Sequence, residues 1–502
     1  MDELKRLVRL VAEQSGKTSP LITQQEEDSL EKKLYNAITE GAVTSDEEAA
    51  AYIYGSGNLS ANYRMLKSRL RKKVLNSVIF LEKTQSNGAK LCSQEINECS
   101  MLLHQARKLL SFGQHKTVQK ISEQIFSISV AAELTEFTIK ALELQRDISI
   151  LVLNKHRFTY LSSELKKYYL KETAERKAEN LFYTAKIELA GKAITKFRYA
   201  SKLPVVINEL RDLWEQTKAS RAFYFYISLI IAQLEIKGDY KGIFEAVGEA
   251  EKLLKQGILN PKWYNARFNN FIKTYAYIRT HQYELGVAFA REHLSDYNPN
   301  SFNWFAFIEN YVQLAIYSRK YKLAVELMEQ VVGNNYFNVL SRSKQERWEL
   351  HRRYLLLCHV NLTEAVPNIL KQELCAIKIL STDKEGANLA IIIFHLLNNL
   401  INYKYDILEN QPELVSKYIS KYLRGERAER VRTFLRLLLL VVKEEGNLKR
   451  IEVKSKPLLA KLAAVPDSED AFVELEIVPY EHLWELVLNR IHSRRKPVNA
   501  SK

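Results

Sequence analysis

The chain has 502 residues, 46 % of them apolar, so it has enough apolar side chains for a substantial core. With only 16 glycines and 10 prolines it lacks the turn residues of a sheet-rich fold, and the composition predicts long helices. A formal net charge of +15 favours acidic partners: nucleic acid, an acidic protein surface or an anionic membrane.

Residues 1–40 read as two helices. Leu4, Leu7, Val8 and Val11 line the first, a break follows at Gly16 to Pro20, and Leu30, Leu34, Ala37 and Ile38 line the second, which Gly41 ends. Ser45 caps a third helix whose opening carboxylates Asp46, Glu47 and Glu48 suit the positive N-terminal end. After the turn Gly55-Ser56-Gly57-Asn58, Ser60 caps a long basic helix running to about Lys83. Tyr63, Leu66, Leu70 and Val74 form its buried stripe, Arg64, Lys67 and Arg71 flank it on one side, and Arg69 and Lys73 on the other. A short helix, a glycine turn and a basic helix are similar to a helix-turn-helix, and a DNA-binding head before a helical-repeat body resembles a bacterial regulator. On that reading Arg64, Lys67 and Arg71 contact nucleic acid. The plainer reading is a solvated helix that caps the repeats; the turn is long for the motif, and no Asn or Gln on the basic face reads bases. The polar stretch Thr84 to Lys90 reads as a linker, which puts a helical head at 1–88.

From Cys99 the pattern is one of helix pairs. Leu102, Leu103, Ala106 and Leu109 lead to a turn at Gly113-Gln114, and Val118, Ile121, Ile125 and Phe126 follow. Phe137, Ala141, Leu144, Ile148 and Leu151 make the next stripe, a turn falls at Asn154-Lys155-His156, and Leu161, Leu165 and Tyr168 continue. The charge-rich stretch Lys171 to Lys177 reads as an exposed helix face, and Phe197 to Leu213 as another pair broken near Ser201-Lys202.

Between Phe223 and Val332 stand three two-helix units, each turning on a tyrosine: Gly238-Asp239-Tyr240, His281-Gln282-Tyr283 and Arg319-Lys320-Tyr321. Ile227, Ile230, Ile231 and Leu234 pair with Phe244, Val247 and Leu254. Phe268, Phe271, Ile272 and Tyr275 pair with Tyr283, Val287, Ala290 and Leu294. Trp304, Ile308, Tyr311 and Ala315 pair with Ala324, Val325, Met328 and Val331, and Gly333-Asn334-Asn335 stops the last helix in the manner of a left-handed cap. A period near 40 residues with helix–turn–helix content is a solenoid signature. These units resemble divergent tetratricopeptide repeats. That family places Gly-Asp-Tyr at the turn between helices, as at 238–240, and a small residue three positions after the tyrosine, as Gly286 and Ala324 stand here. The first unit departs with Ile243, and the early Trp, Leu and Gly of the family are mostly missing. The resemblance implies an α-solenoid and a partner-binding role.

Beyond Val332, Trp348, His351, Leu355 and Cys358 line one helix, Ile369, Leu374, Ile377 and Leu380 another, and Ile391 to Ile401 a third. His351, His359 and His395 read as structural histidines, because no carboxylate or cysteine stands at metal-ligand spacing. Cys92, Cys99, Cys358 and Cys375 form no C-x-x-C pair, which fits a reducing cytoplasm. Gln411-Pro412 opens the last segment, in which Gly425 interrupts two helices; residues Lys417 to Lys461 are strongly basic and Leu462 to Asn489 acidic. The two halves are expected to neutralise one another; the sharper alternative is an anion-attracting patch at Arg432 and Arg436. Pro479 begins a final helix in which Tyr480, Leu483, Trp484, Val487 and Ile491 seal the core, and Ser493 to Lys502 reads as a basic tail. The longest apolar runs fall far short of a bilayer span, the N-terminus lacks a signal-peptide core, and no phosphate-loop, nucleophile-elbow, zinc or dinucleotide motif is present.

The sequence therefore predicts an all-α protein, an α-solenoid of helix-turn-helix pairs at 89–400 between a helical head at 1–88 and a helical cap at 401–502. It is expected to be a cytoplasmic, cofactor-free interaction scaffold, not an enzyme. It would bind a peptide or partner protein in a concave groove, with Asn270, Lys273 and Asn310 as candidate groove residues, and the alternative is a nucleic-acid-binding regulator.

Overall fold

The computed structural model describes residues 1–14, 29–78, 91–191, 198–359, 366–371, 374, 387–408, 411–423, 428–464 and 476–493. The expected break at Gly16–Pro20, the linker at 84–90, Phe197, Cys375, Ile377, Leu380, Gly425 and the tail from 494 lie outside these residues. The fold is an all-α helical repeat, with no strand among the described residues. It divides into two compact units, 1–176 and 177–502.

In the first unit, α1 (Asp2–Gln14), α2 (Leu30–Thr39), α3 (Asp46–Tyr54) and α4 (Ala61–Ser77) close a small core of Leu4, Val8, Leu34, Ile38, Tyr63, Leu66, Leu70 and Val74. The caps are those the sequence predicts: Ser45 accepts from the Glu48 amide and Glu48 reaches back to Ser45, while Ser60 accepts from the Tyr63 amide. The described part of α4 ends at Ser77, and the expected run on to Lys83 lies outside the described residues. Then α5 (Ser93–Ser111), α6 (His115–Ala131), α7 (Thr135–Leu151) and the 35-residue α8 (Lys155–Leu189) follow one another through three-residue turns. The charge-rich stretch lies within α8, but it is not wholly solvated: Glu175 is buried and accepts a 2.7 Å hydrogen bond from Thr135.

The second unit takes in the end of α8 from 177 onward, then α9 (Leu203–Thr217), α10 (Ser220–Lys237), α11 (Tyr240–Lys255), α12 (Ala266–Arg279), α13 (Tyr283–His293), α14 (Phe302–Tyr317), α15 (Tyr321–Val332) and α16 (Arg342–His359). Tight turns join α10 to α11, α12 to α13 and α14 to α15, while longer linkers containing a 3₁₀ turn join one pair to the next. The tight turns share one backbone device. A residue in the left-handed region donates to the carbonyl three residues back, and its successor donates to the carbonyl five back. At Gly238-Asp239 these bonds are 3.1 and 2.9 Å, at His281-Gln282 3.2 and 3.0 Å, and at Arg319-Lys320 3.0 and 2.8 Å. The turns at Gly113, Glu133 and Leu153 in the first unit are built alike. Gly333 differs from expectation. Its φ is −70°, so α15 ends without a left-handed cap, and Asn334 instead caps the 3₁₀ turn Asn335–Val339 through the Tyr336 amide.

After α17 (Asn368–Lys371), α18 (Ala387–Ile401), α19 (Tyr405–Leu408) and α20 (Gln411–Tyr422) come α21 (Glu429–Lys443), α22 (Leu448–Ala464) and α23 (Tyr480–Ser493). One apolar cluster runs from Ile278 to Ile491, so these helices share a core with the last two repeats. The final helix folds back onto the turns. Arg319 makes a two-pronged pair with Glu485 at 2.7 and 2.9 Å, the Tyr317 hydroxyl donates to the Glu476 carbonyl, and the Tyr403 hydroxyl donates to the Arg490 carbonyl.

The tyrosine-plus-three position has the role its size suggests. A Cβ on Gly286 would lie 2.6 Å from Leu314 Cδ2 and 2.8 Å from Tyr277 Cβ. Alanine gains about 1 kcal/mol in helix propensity, but overpacking between two fixed helices costs about 1–3 kcal/mol. Gly286→Ala is therefore expected to lower stability by up to about 2 kcal/mol, read as a lower urea midpoint at unchanged slope; a stabilised variant would show that the helices are not in close contact here.

Candidate functional site

The basic residues of the head are placed largely by its own carboxylates. Lys67 Nζ lies 2.8 and 2.9 Å from the two oxygens of Asp46, whose Oδ1 also accepts from the Tyr63 hydroxyl at 2.7 Å; the Met1 amino group stands 3.2 Å from Oδ2. Arg71 pairs with Glu3 at 2.7 Å and Arg69 with Glu31 at 3.3 Å. Arg64 is exposed on the outer flank of α4. Of the three candidate nucleic-acid contacts, Arg64 faces solvent, Arg71 is held by a largely exposed, solvent-screened pair, and Lys67 is tied to α3.

At the other end of the chain, Arg432 donates to the Leu423 carbonyl at 2.9 Å and pairs with Glu429. Arg436 is exposed. The structure thus does not bring the two together as one patch: Arg432 closes an internal contact, and Arg436 faces outward. The basic and acidic halves do meet, through Arg430, which holds Glu476 and Glu481 at 2.8 Å each. Burial pushes the Glu476 carboxyl up despite that arginine.

Of the three candidate groove residues, Asn270 and Asn310 are buried and Lys273 is half-buried. Asn270 is buried, its Nδ2 3.1 Å from His293 Nδ1 and 3.3 Å from Asp296. Lys273 lies over the Phe289 ring and pairs with Glu251 at 3.3 Å. Asn310 is buried in α14, and its Nδ2 has no hydrogen-bond partner among the described residues. The first helix of a unit packs on its own second helix and also on the next first helix, as α12 does on α14, so its polar side chains end up in seams.

The first-helix side does leave one recess, between α10 and α12 under the linker that joins their units. Its walls are Phe223, Tyr224, Ile227, Ser228, Phe268 and Asn269, and its rim is Trp263, Tyr264 and Asn265; it is shallow and open to solvent. The linker is fixed from both ends. The Asn260 amide donates to Ser220 Oγ at 2.8 Å, Asn260 Oδ1 accepts from the Lys262 amide, and Asn265 Oδ1 accepts from the Phe268 amide at 3.1 Å, starting α12. Arg221 reaches over the Trp263 ring. The result is a shallow, mainly apolar recess with hydroxyl and amide groups at its edge. Sequence reasoning passed over 256–265; the signal there was a Trp–Tyr pair beside Asn260-Pro261, aromatics too large for a short linker to bury.

His351 is fully buried, its Nδ1–H donates to the Arg347 carbonyl at 2.9 Å, and burial lowers its pKa. Among the described residues no three His, Cys, Asp or Glu side chains come together as a metal site, and no helix is long and apolar enough to cross a membrane.

Burial pushes the Asp46 carboxyl up, but hydrogen bonds from Lys67, Tyr63 and the Met1 amino group outweigh it and bring the pKa from 3.8 to about 2. A carboxyl depressed on folding adds stability above its unfolded pKa and loses it as pH falls through the folded value, here over the window from 3.8 to about 2. Asp46→Asn is expected to cost the head about 2 kcal/mol at neutral pH. In amide exchange of α3 and α4 the gap between wild type and variant narrows as pH falls through that window; an equal gap at pH 7 and at the acid end would refute the pairing.

No family model matches the chain, and no curated protein or solved structure matches it.

Proposed function

We propose that this protein is a binding adaptor, not an enzyme, and that its tetratricopeptide-like units hold a peptide or partner segment by seating one bulky apolar side chain in the recess between α10 and α12. The observation that carries the reading is the recess itself, where Tyr224 and Ser228 of α10, Trp263 of the linker and Phe268 of α12 stay partly open. The long linker at 256–265 holds the mouth open, and its amide and hydroxyl groups supply the orienting contacts that peptide recognition needs. The competing reading, a nucleic-acid regulator acting through the head, draws on exposed Arg64 and half-exposed Arg71.

Peptides selected on the full chain from a random library are expected to share an aromatic or large aliphatic anchor. Ser228→Trp, which fills the slot, and Tyr224→Ala, which removes a wall, each weaken the selected peptides at least tenfold, about 1.4 kcal/mol. Equal affinity for wild type and both variants would move the site elsewhere. A low-salt gel shift by the wild type, lost in Arg64→Glu/Arg71→Glu and with no anchored peptide recovered, would establish the regulator instead.

A further inference from the structure

One end of the helix row in the first unit presents apolar side chains for which folding provides no reason. The turn joining α5 to α6 and the turn joining α7 to α8 stand at the same end, because Ile148 and Leu144 pack in one cluster with Ala106, Leu109, Leu110 and Val118. At their tips Phe112 is 76 % exposed and Leu153 89 %, and Ile150, Leu151 and Val152 are each more than half exposed. The expected buried stripe of α7 stops at Ile148; Leu151 continues the spacing but has run past the end of its neighbours. Leu153 also occupies the left-handed region, with φ 54°, where Gly113 serves in the companion turn. A leucine in that conformation is unfavourable for the backbone and, nearly fully exposed, adds nothing to the core.

Around this tip the charge has one sign. Lys108, Lys116 and Lys155 are exposed within a turn or so of the apolar residues. The acidic groups nearby are matched, Glu123 by Arg157 at 3.5 Å and Asp147 by Arg146 at 3.4 Å. A convex apolar tip lacks the concavity that would grip a protein side chain, but it fits a fluid interface that closes around it, and a collar of lysines lies where headgroups would be.

We propose that this end of the first unit docks on an anionic membrane surface. Phe112 and the Ile150–Leu153 tip enter the boundary between headgroups and acyl chains, and Lys108, Lys116 and Lys155 meet the lipid anions. The inference is independent of the peptide recess.

The test is co-sedimentation of the full chain with phosphatidylcholine vesicles and with vesicles containing roughly 30 % phosphatidylserine. The wild type is expected to pellet with the anionic vesicles at low salt and to be released by high salt. Val152→Asp/Leu153→Asp and Lys116→Glu/Lys155→Glu, each with an unchanged far-ultraviolet spectrum, lose at least tenfold in partitioning. Leu153→Gly, which relieves the backbone, also loses partitioning while folding normally. A wild type that stays in the supernatant with both vesicles, or binding untouched by the aspartates, overturns the proposal. So does self-association in sedimentation velocity that the aspartates abolish without any vesicle binding, which would make the tip a contact between copies.

Discussion

Each tight reversal between neighbouring helices rests on two backbone hydrogen bonds made around a single left-handed residue. The second bond, from the residue that also begins the next helix, reaches back five positions, so three residues suffice to turn the chain. So short a connection leaves no slack: the next helix must run antiparallel to the last and in contact with it, and their apolar stripes face each other. Glycine suits that position at 113 and 238, yet Glu133, Leu153, His281, Arg319 and Tyr403 hold it elsewhere. Each of those is held at a cost of about 1 kcal/mol, which the packed helices on either side offset.

The alternation of tight turns with longer linkers decides where surface remains. Tight turns bring second helices against first helices, and the linker after α13 brings α12 against α14, so α14 loses most of its solvent exposure. What opening remains lies under a linker, and the one at 256–265 carries aromatic side chains that line a slot.

Much of this was legible in the sequence, because helical spacing reports directly on burial. The stripes of α4 and of the three repeats, the caps at Ser45 and Ser60, and the close approach at Gly286 all follow from local pattern. The failures share a cause: local pattern is silent about a second neighbour. Asn270 and Asn310 look solvent-facing on a helix with one partner and are buried on a helix with two. Gly333 looks like a left-handed cap, but the 3₁₀ turn after it sets a different φ. The turn at Glu133 contains no glycine, proline or asparagine and left no mark. Lys67 and Arg71 read as free cations because Asp46 and Glu3 come from other helices.

The clasp of α23 over Arg319 and Tyr317 joins positions 166 and 159 residues apart. In a simple array each module touches only the module before it, and assembly can proceed stepwise as the polypeptide emerges from the ribosome. Here the third repeat is complete only when the last helix has been synthesised. Nascent chains therefore leave the turn at Tyr317–Arg319 uncovered for the time needed to translate those intervening codons.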